Sequence, residues 1–321
     1  MPESMNYVTE IFKKLIIFPI RNFFILLNSF NNNGNAVIWL LSEGRSGSTW
    51  VSSLLSNNGK ALQVFEPFHP EVTSQNSNFT PYAYNSNLTS DSEVIKFYKQ
   101  VFTGRLLHRR VNYDNRRVMY SGIVVKDIFA SLTSKAVYAH HKDVKVIILI
   151  RNPLDVVLSK RLTAKQGWFW PNNLDIFLNN EALLANLTAA QKNLIYSISQ
   201  SGSESEKQMV HWIMSYFVSF LEFDTEDYYL LFYESIKATP DIELVKIRRF
   251  LGSHSKFYSN DCNLALITSM SRTLQTSNSH TNWKEKIYKS FAKKELNTMS
   301  KLLQTFNLTS LYGNDGLKFK Q

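Results

Sequence analysis

Cysteine is almost missing from this chain: Cys262 is the only one in 321 residues. One thiol cannot close an internal disulfide, and it excludes a metal site built from several cysteines. The count points to a reducing compartment and a cytoplasmic location, free or at a membrane surface, with the secretory pathway disfavoured. Four sequons, at Asn78, Asn87, Asn186 and Asn307, carry little weight in a sequence so rich in Asn, Ser and Thr. An uninterrupted apolar span is also missing. A crossing helix needs about 20 nearly uncharged residues, whereas the most apolar segment, 11–30, contains Lys13, Lys14, Pro19 and Arg21. A clean transmembrane helix is therefore rejected. Two readings stay open for that segment, a basic amphipathic helix making peripheral membrane contact and a helix folded against the main domain. A signal peptide is disfavoured, because the apolar core is interrupted and no convincing small-residue cleavage site follows. Acidic residues are in deficit, 26 against 36 Lys and Arg, which leaves a net charge of +10. Such a surface favours anionic partners without choosing among them. The most basic stretch holds Arg105, His108, Arg109, Arg110, Arg116 and Arg117. It comes with no zinc-finger, homeodomain or RNA-recognition pattern, so no nucleic-acid partner is expected. No acidic metal cluster is visible, and no metal requirement is expected.

What is present is organised around residues 37–56. The apolar run from Val37 reads as a buried strand, and it opens through Gly44-Arg45-Ser46-Gly47-Ser48-Thr49-Trp50 onto a helix. Glycines for tight turns, hydroxyls, a fixed cation and the unpartnered N–H groups of a helix start together make a phosphate cradle. The bland alternative is a plain turn. The nucleotide-triphosphate loop Gly-x-x-x-x-Gly-Lys-Ser/Thr is absent, since no lysine stands at the helix start.

Further strands follow. Leu62–Phe65 leads to Glu66 at a carboxyl end, where open α/β sheets bind ligands. A solvated rim charge is the alternative for that glutamate. Residues 73–92 read as a polar loop, and a helix is expected from Ser92 to Phe102. Gly122–Lys126 is a short strand, followed by Asp127 and a helix through His140. Val144–Arg151 is a central parallel strand, and Pro153 starts the next helix. Ser159 lies two turns into that helix, so its hydroxyl and the Arg151 guanidinium can converge on one phosphate. Trp168 and Trp170 can floor a sugar subsite, or serve as a lid or core anchor. Residues 174–200 and 205–222 read as helices, the second with a core stripe of Met209, Trp212, Ile213, Tyr216, Phe217 and Phe220. Tyr228–Glu234 reads as the last strand.

Alternation of strand and helix from 37 to about 252 implies one α/β domain over 36–321, a P-loop-like parallel sheet flanked by helices. Residues 1–35 form an N-terminal apolar basic helix and linker outside it.

Three ordered motifs, the loop at 44–50, Phe-Glu-Pro at 65–67 and Arg151…Ser159, resemble the sulfotransferases that use 3′-phosphoadenosine-5′-phosphosulfate (PAPS). Arg-Ser-Gly-Ser-Thr at 45–49 is most like the carbohydrate branch, which carries arginine where the cytosolic branch has lysine. The resemblance implies a sulfotransferase fold, PAPS as co-substrate and a hydroxylated acceptor, in the first instance a sugar. It implies that residues 44–49 hold the 5′ end, that Arg151 and Ser159 hold the 3′-phosphate, and that Trp50 stacks on adenine. Glu66 is the implied base, with His69 and Asp127 less favoured, while Arg45 and Lys126 touch the sulfonate. His69 also faces the acceptor. The segment from Tyr233-Glu234 to Phe250-Leu-Gly252 resembles the part that closes the family's core, and Arg272 and Lys284 match its C-terminal nucleotide loop loosely. Two departures stand out. Lys126-Asp127-Ile128 lacks the cytosolic branch's histidine, and Asn152 replaces the usual aspartate of the carbohydrate branch. Two rivals remain, a nucleotide-dependent kinase and a non-catalytic glycan- or nucleic-acid-binding protein on the same scaffold.

Overall fold

The computed structural model describes residues 17–31, 36–56, 59–73, 80–167, 171–252, 287 and 289–312. Residues 11–16, Asn78, Trp168, Trp170, Cys262, Arg272 and Lys284 lie outside these, so the expectations placed on them have no structural counterpart here.

The chain runs α1 (Phe18–Asn31), β1 (Val37–Ser42), α2 (Ser48–Leu55), β2 (Leu62–Phe65), α3 (Pro70–Thr73), α4 (Glu93–Phe102), β3 (Ile123–Asp127) and α5 (Ser134–Ala139). It continues with β4 (Lys145–Ile150), α6 (Pro153–Ala164), α7 (Asp175–Leu178), α8 (Glu181–Ala185), α9 (Ala189–Ser201) and α10 (Glu204–Glu222). The last elements are β5 (Tyr228–Phe232), α11 (Tyr233–Ala238), α12 (Pro240–Leu251) and α13 (Lys293–Thr305).

The strands form one parallel five-stranded sheet in the order β2-β3-β1-β4-β5. Each of the six residues of β1 is buried, as a strand covered on both faces requires. The period of two divides them. Trp39 and Leu41 enter the core beneath α4, α9, α10 and α13, while Ile38 and Leu40 enter the core beneath α2, α11 and α12. Because β3 and β4 flank β1 on opposite sides, the chain changes direction there, and the crevice above the carboxyl ends is the place such sheets bind ligands.

Three expected elements differ. The helix after Asp127 starts only at Ser134, the helical stretch 174–200 breaks into α7, α8 and α9, and the last strand ends at Phe232 so that Tyr233 and Glu234 open α11. The break is dictated locally: Asn180 and Thr188 each accept a backbone N–H as N-caps, and a capped start cannot also continue a helix. α1 packs on the domain through buried Ile25, and among the described residues no helix is long and apolar enough to cross a membrane.

Candidate active site

Each strand delivers polar groups at its carboxyl end. After β1 the loop from Glu43 turns through Arg45 and Gly47, at φ 70° and 85°. Gly47 is the N-cap of α2 and makes no side-chain cap bond, so the first N–H groups of that helix are left for an anion. After β4, Arg151 donates from Nη1 to the Arg45 carbonyl (3.1 Å), and Arg45 Nε donates to Ser159 Oγ (3.0 Å). Arg45, Arg151 and Ser159, 114 residues apart at the extremes, thus meet at one point. Burial, and after it the Arg151 charge, pull the Arg45 guanidinium below its ordinary value. Asp155 approaches Arg151 at 3.7 Å, and the ring of Tyr233 lies 4.6 Å beneath it. Arg151 Nε is buried without a partner. Two adjacent guanidiniums and an unsatisfied N–H favour a polyanion.

The loop stands on a polar network hidden under it. Glu43 and Lys160 form an ion pair (2.6 Å) with side chains 1% and 2% exposed. Lys160 also donates to Gln208 (2.8 Å), and Ser215 donates to the other Glu43 oxygen (2.7 Å). Tyr216 accepts the Glu43 N–H (3.1 Å) and donates to the Leu149 carbonyl (2.8 Å), while Trp212 Nε1 donates to the Arg151 carbonyl (3.1 Å). One helix, α10, therefore clamps both phosphate-side loops. Its stripe is core as expected, and it is also a set of hydrogen-bonding hooks that the apolar periodicity did not reveal.

Beyond β2 and β3 lies a second cluster. Lys126 and Glu66 form a buried ion pair, and Arg110 reaches the other Glu66 oxygen at 3.2 Å and Glu71 at 3.2 Å. Burial alone would raise the Glu66 carboxyl; Lys126 and then Arg110 outweigh it and hold the group below the usual glutamate value. Asp127 is the opposite case. Burial dominates the bonds it accepts from the Phe129 N–H (3.0 Å) and Tyr98 hydroxyl (2.9 Å), and pushes it up to about 7. His69 is lowered by burial and then by Arg110, against the opposing charges of Glu66 and Glu71.

Next to this cluster is a cavity of about 640 Å³ lined by His69, Tyr82, Phe129, Pro171, Ile176 and His211 among others. Gly167 and Pro171, the described neighbours of the Trp168–Trp170 segment, both line it. Burial brings His211 down to about 4, and burial first, then Glu43, Glu66 and Asp127, push the Tyr82 hydroxyl well up. Among the described non-glycine residues at positive φ, Arg45, Glu66 (46°) and Tyr82 (61°) belong to these two clusters, and Asn307 lies elsewhere. Backbone held in the left-handed region costs about 1–3 kcal/mol per residue and gathers where function over-determines it.

The family model described as "Sulfotransferase domain" matches residues 36–304. The chain belongs to the sulfotransferase family. Transfer of a sulfonyl group is the general activity that this membership carries. A search of curated proteins found no match. Among solved structures, similarity extends to a sulfotransferase from Alicyclobacillus acidocaldarius, 12% identical, with 84% of this chain and 96% of that one covered and a TM-score of 0.40. The sulfotransferase domain of the Synechococcus PCC 7002 olefin synthase is 16% identical over 86% of this chain and 95% of its own, with a TM-score of 0.41. Mouse sulfotransferase SULT7A1, complexed with PAP, is 16% identical over 88% of both chains, with a TM-score of 0.43.

Within this candidate site the sequence-expected residues divide. Gly44, Arg45, Gly47, Ser48, Arg151 and Ser159 lie at the loop after β1 and the end of β4, and Glu66, Lys126, Asp127 and His69 in the second cluster. Thr49 is exposed at the helix start and accepts from Ser52 and Ser53 through its carbonyl. Ser46 turns its buried hydroxyl inward to Tyr216 (3.3 Å), so it braces the loop. Trp50, on which the adenine-stacking expectation falls, is 8% exposed and packs at a steep angle against Tyr233 (6.0 Å) in the core. Asn152 caps α6, its side chain accepting the Leu154 and Asp155 N–H groups (3.0 and 3.3 Å). Asparagine caps as well as aspartate does, so the substitution costs the helix nothing. Tyr233 and Glu234 serve packing and bracing, Glu234 accepting the Asn152 N–H (2.8 Å) and the Tyr312 hydroxyl (3.1 Å).

Proposed function

We propose that this chain moves a sulfonate from PAPS to a hydroxyl on an acceptor, a sugar or glycoconjugate in the first instance, without a metal. The observation that carries the reading is the convergence of Arg45, Arg151 and Ser159 on the loop before α2, next to the Glu66 cluster. The residues fit a nucleotide with phosphate at both ends, because Arg151 Nε is buried and unpartnered and the helix start is uncapped by a side chain. When bound, PAPS supplies the sulfonate and a phosphate leaving group.

Loop N–H groups, Ser48 and Arg45 would hold the 5′ end, and Arg151 with Ser159 the 3′-phosphate. Glu66 takes the proton of the acceptor hydroxyl as its oxygen bonds to sulfur in line and the sulfur–phosphate oxygen bond breaks, giving a sulfate ester and 3′-phosphoadenosine-5′-phosphate (PAP). Lys126, paired with Glu66, stands where negative charge passes through the site, and Arg110 adds a second cation there.

The cavity beside Glu66 takes the acceptor. Its half-buried rings, His69 and Phe129, support packing under a sugar. The same predominantly apolar lining favours a second acceptor reading, a phenol or other ring-bearing alcohol.

The test is transfer of labelled sulfonate from PAPS to a panel of sugars and phenols. Turnover by wild type, with a loss of about 10²–10⁴-fold in kcat for Glu66→Gln at unchanged PAP affinity, supports the reading. Binding of acidic glycans with no PAPS turnover favours a non-catalytic scaffold, and magnesium-dependent phosphotransfer from ATP favours a kinase.

A further inference from the structure

α1 has two unlike faces, and only one of them is used by the fold. On the inner face Ile25 is 1% exposed, and Arg21 Nη1 donates to the carbonyls of Asn112 and Tyr113, each at 3.0 Å. Asn28, also buried, donates to the Val118 carbonyl and accepts the Tyr120 N–H (2.9 Å). Arg21, Ile25 and Asn28 follow one another at helical spacing, so this face is fastened to the backbone of the 112–120 segment.

The opposite face carries Ile20, Phe23, Leu27 and Phe30, which are 52%, 58%, 44% and 68% exposed. Their spacing of three, four and three residues makes one continuous apolar stripe. The hydrogen bonds of the inner face prevent it from rolling inward. Alongside, Val118 and Met119 are 55% and 71% exposed. A groove of about 860 Å³ between α1 and this segment is lined by apolar side chains of the helix and by Arg109, Arg116 and Arg117, all three exposed. Among the described residues no acidic side chain lines it, and α1 itself contains none. A contiguous exposed apolar surface marks a contact surface. Bordered by arginines, and lined by no carboxylate among the described residues, this one is complementary to a layer that is apolar beneath and negative at its rim.

We propose that this face docks on an anionic lipid leaflet. Ile20, Phe23, Leu27 and Phe30 enter the boundary of the acyl chains with α1 lying in the plane of the membrane, and Arg109, Arg116 and Arg117 meet the lipid phosphates. The surface is distinct from the phosphate loop and from the acceptor cavity, so it stands or falls apart from the sulfotransfer reading.

The test is co-sedimentation of the full chain with vesicles of phosphatidylcholine alone and of phosphatidylcholine with phosphatidylserine. Binding is expected on the anionic vesicles, with release by added salt. Arg116→Gln with Arg117→Gln should weaken it by about twentyfold or more, at about fivefold per arginine near a charged surface. Phe23→Gln with Leu27→Gln should weaken it by at least about tenfold, because the removed side chains supply the apolar contact. Both double variants should keep the wild-type circular dichroism spectrum and urea unfolding midpoint, which shows that they fold. Wild type that stays in the supernatant overturns the proposal, as does equal binding to both kinds of vesicle. So does a wild-type dimer that Phe23→Gln with Leu27→Gln converts to a monomer, since the face would then serve self-association.

Discussion

Glu66 and Lys126 close the ends of two neighbouring strands, β2 and β3, with a buried ion pair that Arg110 joins from a loop 44 residues further along the chain than Glu66. The arrangement keeps a carboxylate ionised inside the fold. The pair on one side and burial on the other separate Glu66 from Asp127, because they push the two carboxyls in opposite directions.

The acid limb of kcat/KM reads out which one acts. Glu66 is held below its ordinary value of 4.5 by Lys126 and Arg110 against burial, whereas burial pushes Asp127 up to about 7. With Glu66 as base, activity persists through weakly acidic pH and falls only below the ordinary glutamate value. A limb near 7 would assign the proton transfer to Asp127 instead.

Asp127 should also leave a mark on stability. Its folded value lies above that of an unfolded aspartate, so the stability it contributes is complete below about pH 4 and is lost as pH rises to about 7. In Asp127→Asn, whose amide oxygen can still accept the Phe129 N–H while its NH2 donates to the Tyr98 hydroxyl oxygen, that loss should disappear. Urea midpoints on either side of the window measure it, and parallel pH dependences for the two proteins would contradict it.

Lys160→Met removes the partner of a carboxylate that is 0% exposed. The expected cost is about 3–5 kcal/mol in urea unfolding, since Glu43 is left charged in the interior, and most of it should return in the double variant with Glu43→Gln. A loss below about 1 kcal/mol would mean that the pair bears little of the loop's support.

Gly47→Ala tests the loop itself. Gly47 sits at φ 85°, and a Cβ there would overlap the Tyr233 ring. PAP affinity should fall by at least about tenfold, with a loss of about 1–3 kcal/mol in stability from the strained backbone. Unchanged affinity in calorimetry would mean that the loop conformation does not govern binding.

Much of the frame was legible because it is written locally. Apolar runs ending in a small-residue loop, in Glu66 and in Arg151-Asn152-Pro153 mark strand ends, and a parallel sheet puts those ends on one side. Ser159 was legible through helical spacing alone. What escaped lies far apart in sequence. Glu43 and Lys160 are 117 residues apart, and nothing in either neighbourhood announces a pair. Arg110 sat in a basic run that reads equally well as solvated surface, and Tyr82 in a polar loop without period. Trp212 and Tyr216 matched a core stripe, which reports burial but says nothing of the N–H and O–H at the tips of the rings. The helix boundaries near Asn180, Thr188 and Tyr233 were set by capping and by the sheet edge, which periodicity does not see.

The most direct measurement is calorimetric binding of PAP, without metal, to wild type and to Arg151→Ala. Arg151 ties the end of β4 to the loop after β1 through the Arg45 carbonyl, and its buried Nε lacks a partner. The expected result is binding by wild type and a loss of at least about tenfold in the variant, in keeping with a charge-assisted contact of about 1.5–3 kcal/mol. A folded wild type that does not bind PAP, or an Arg151→Ala protein that binds it equally well, would contradict the nucleotide site at the centre of this account.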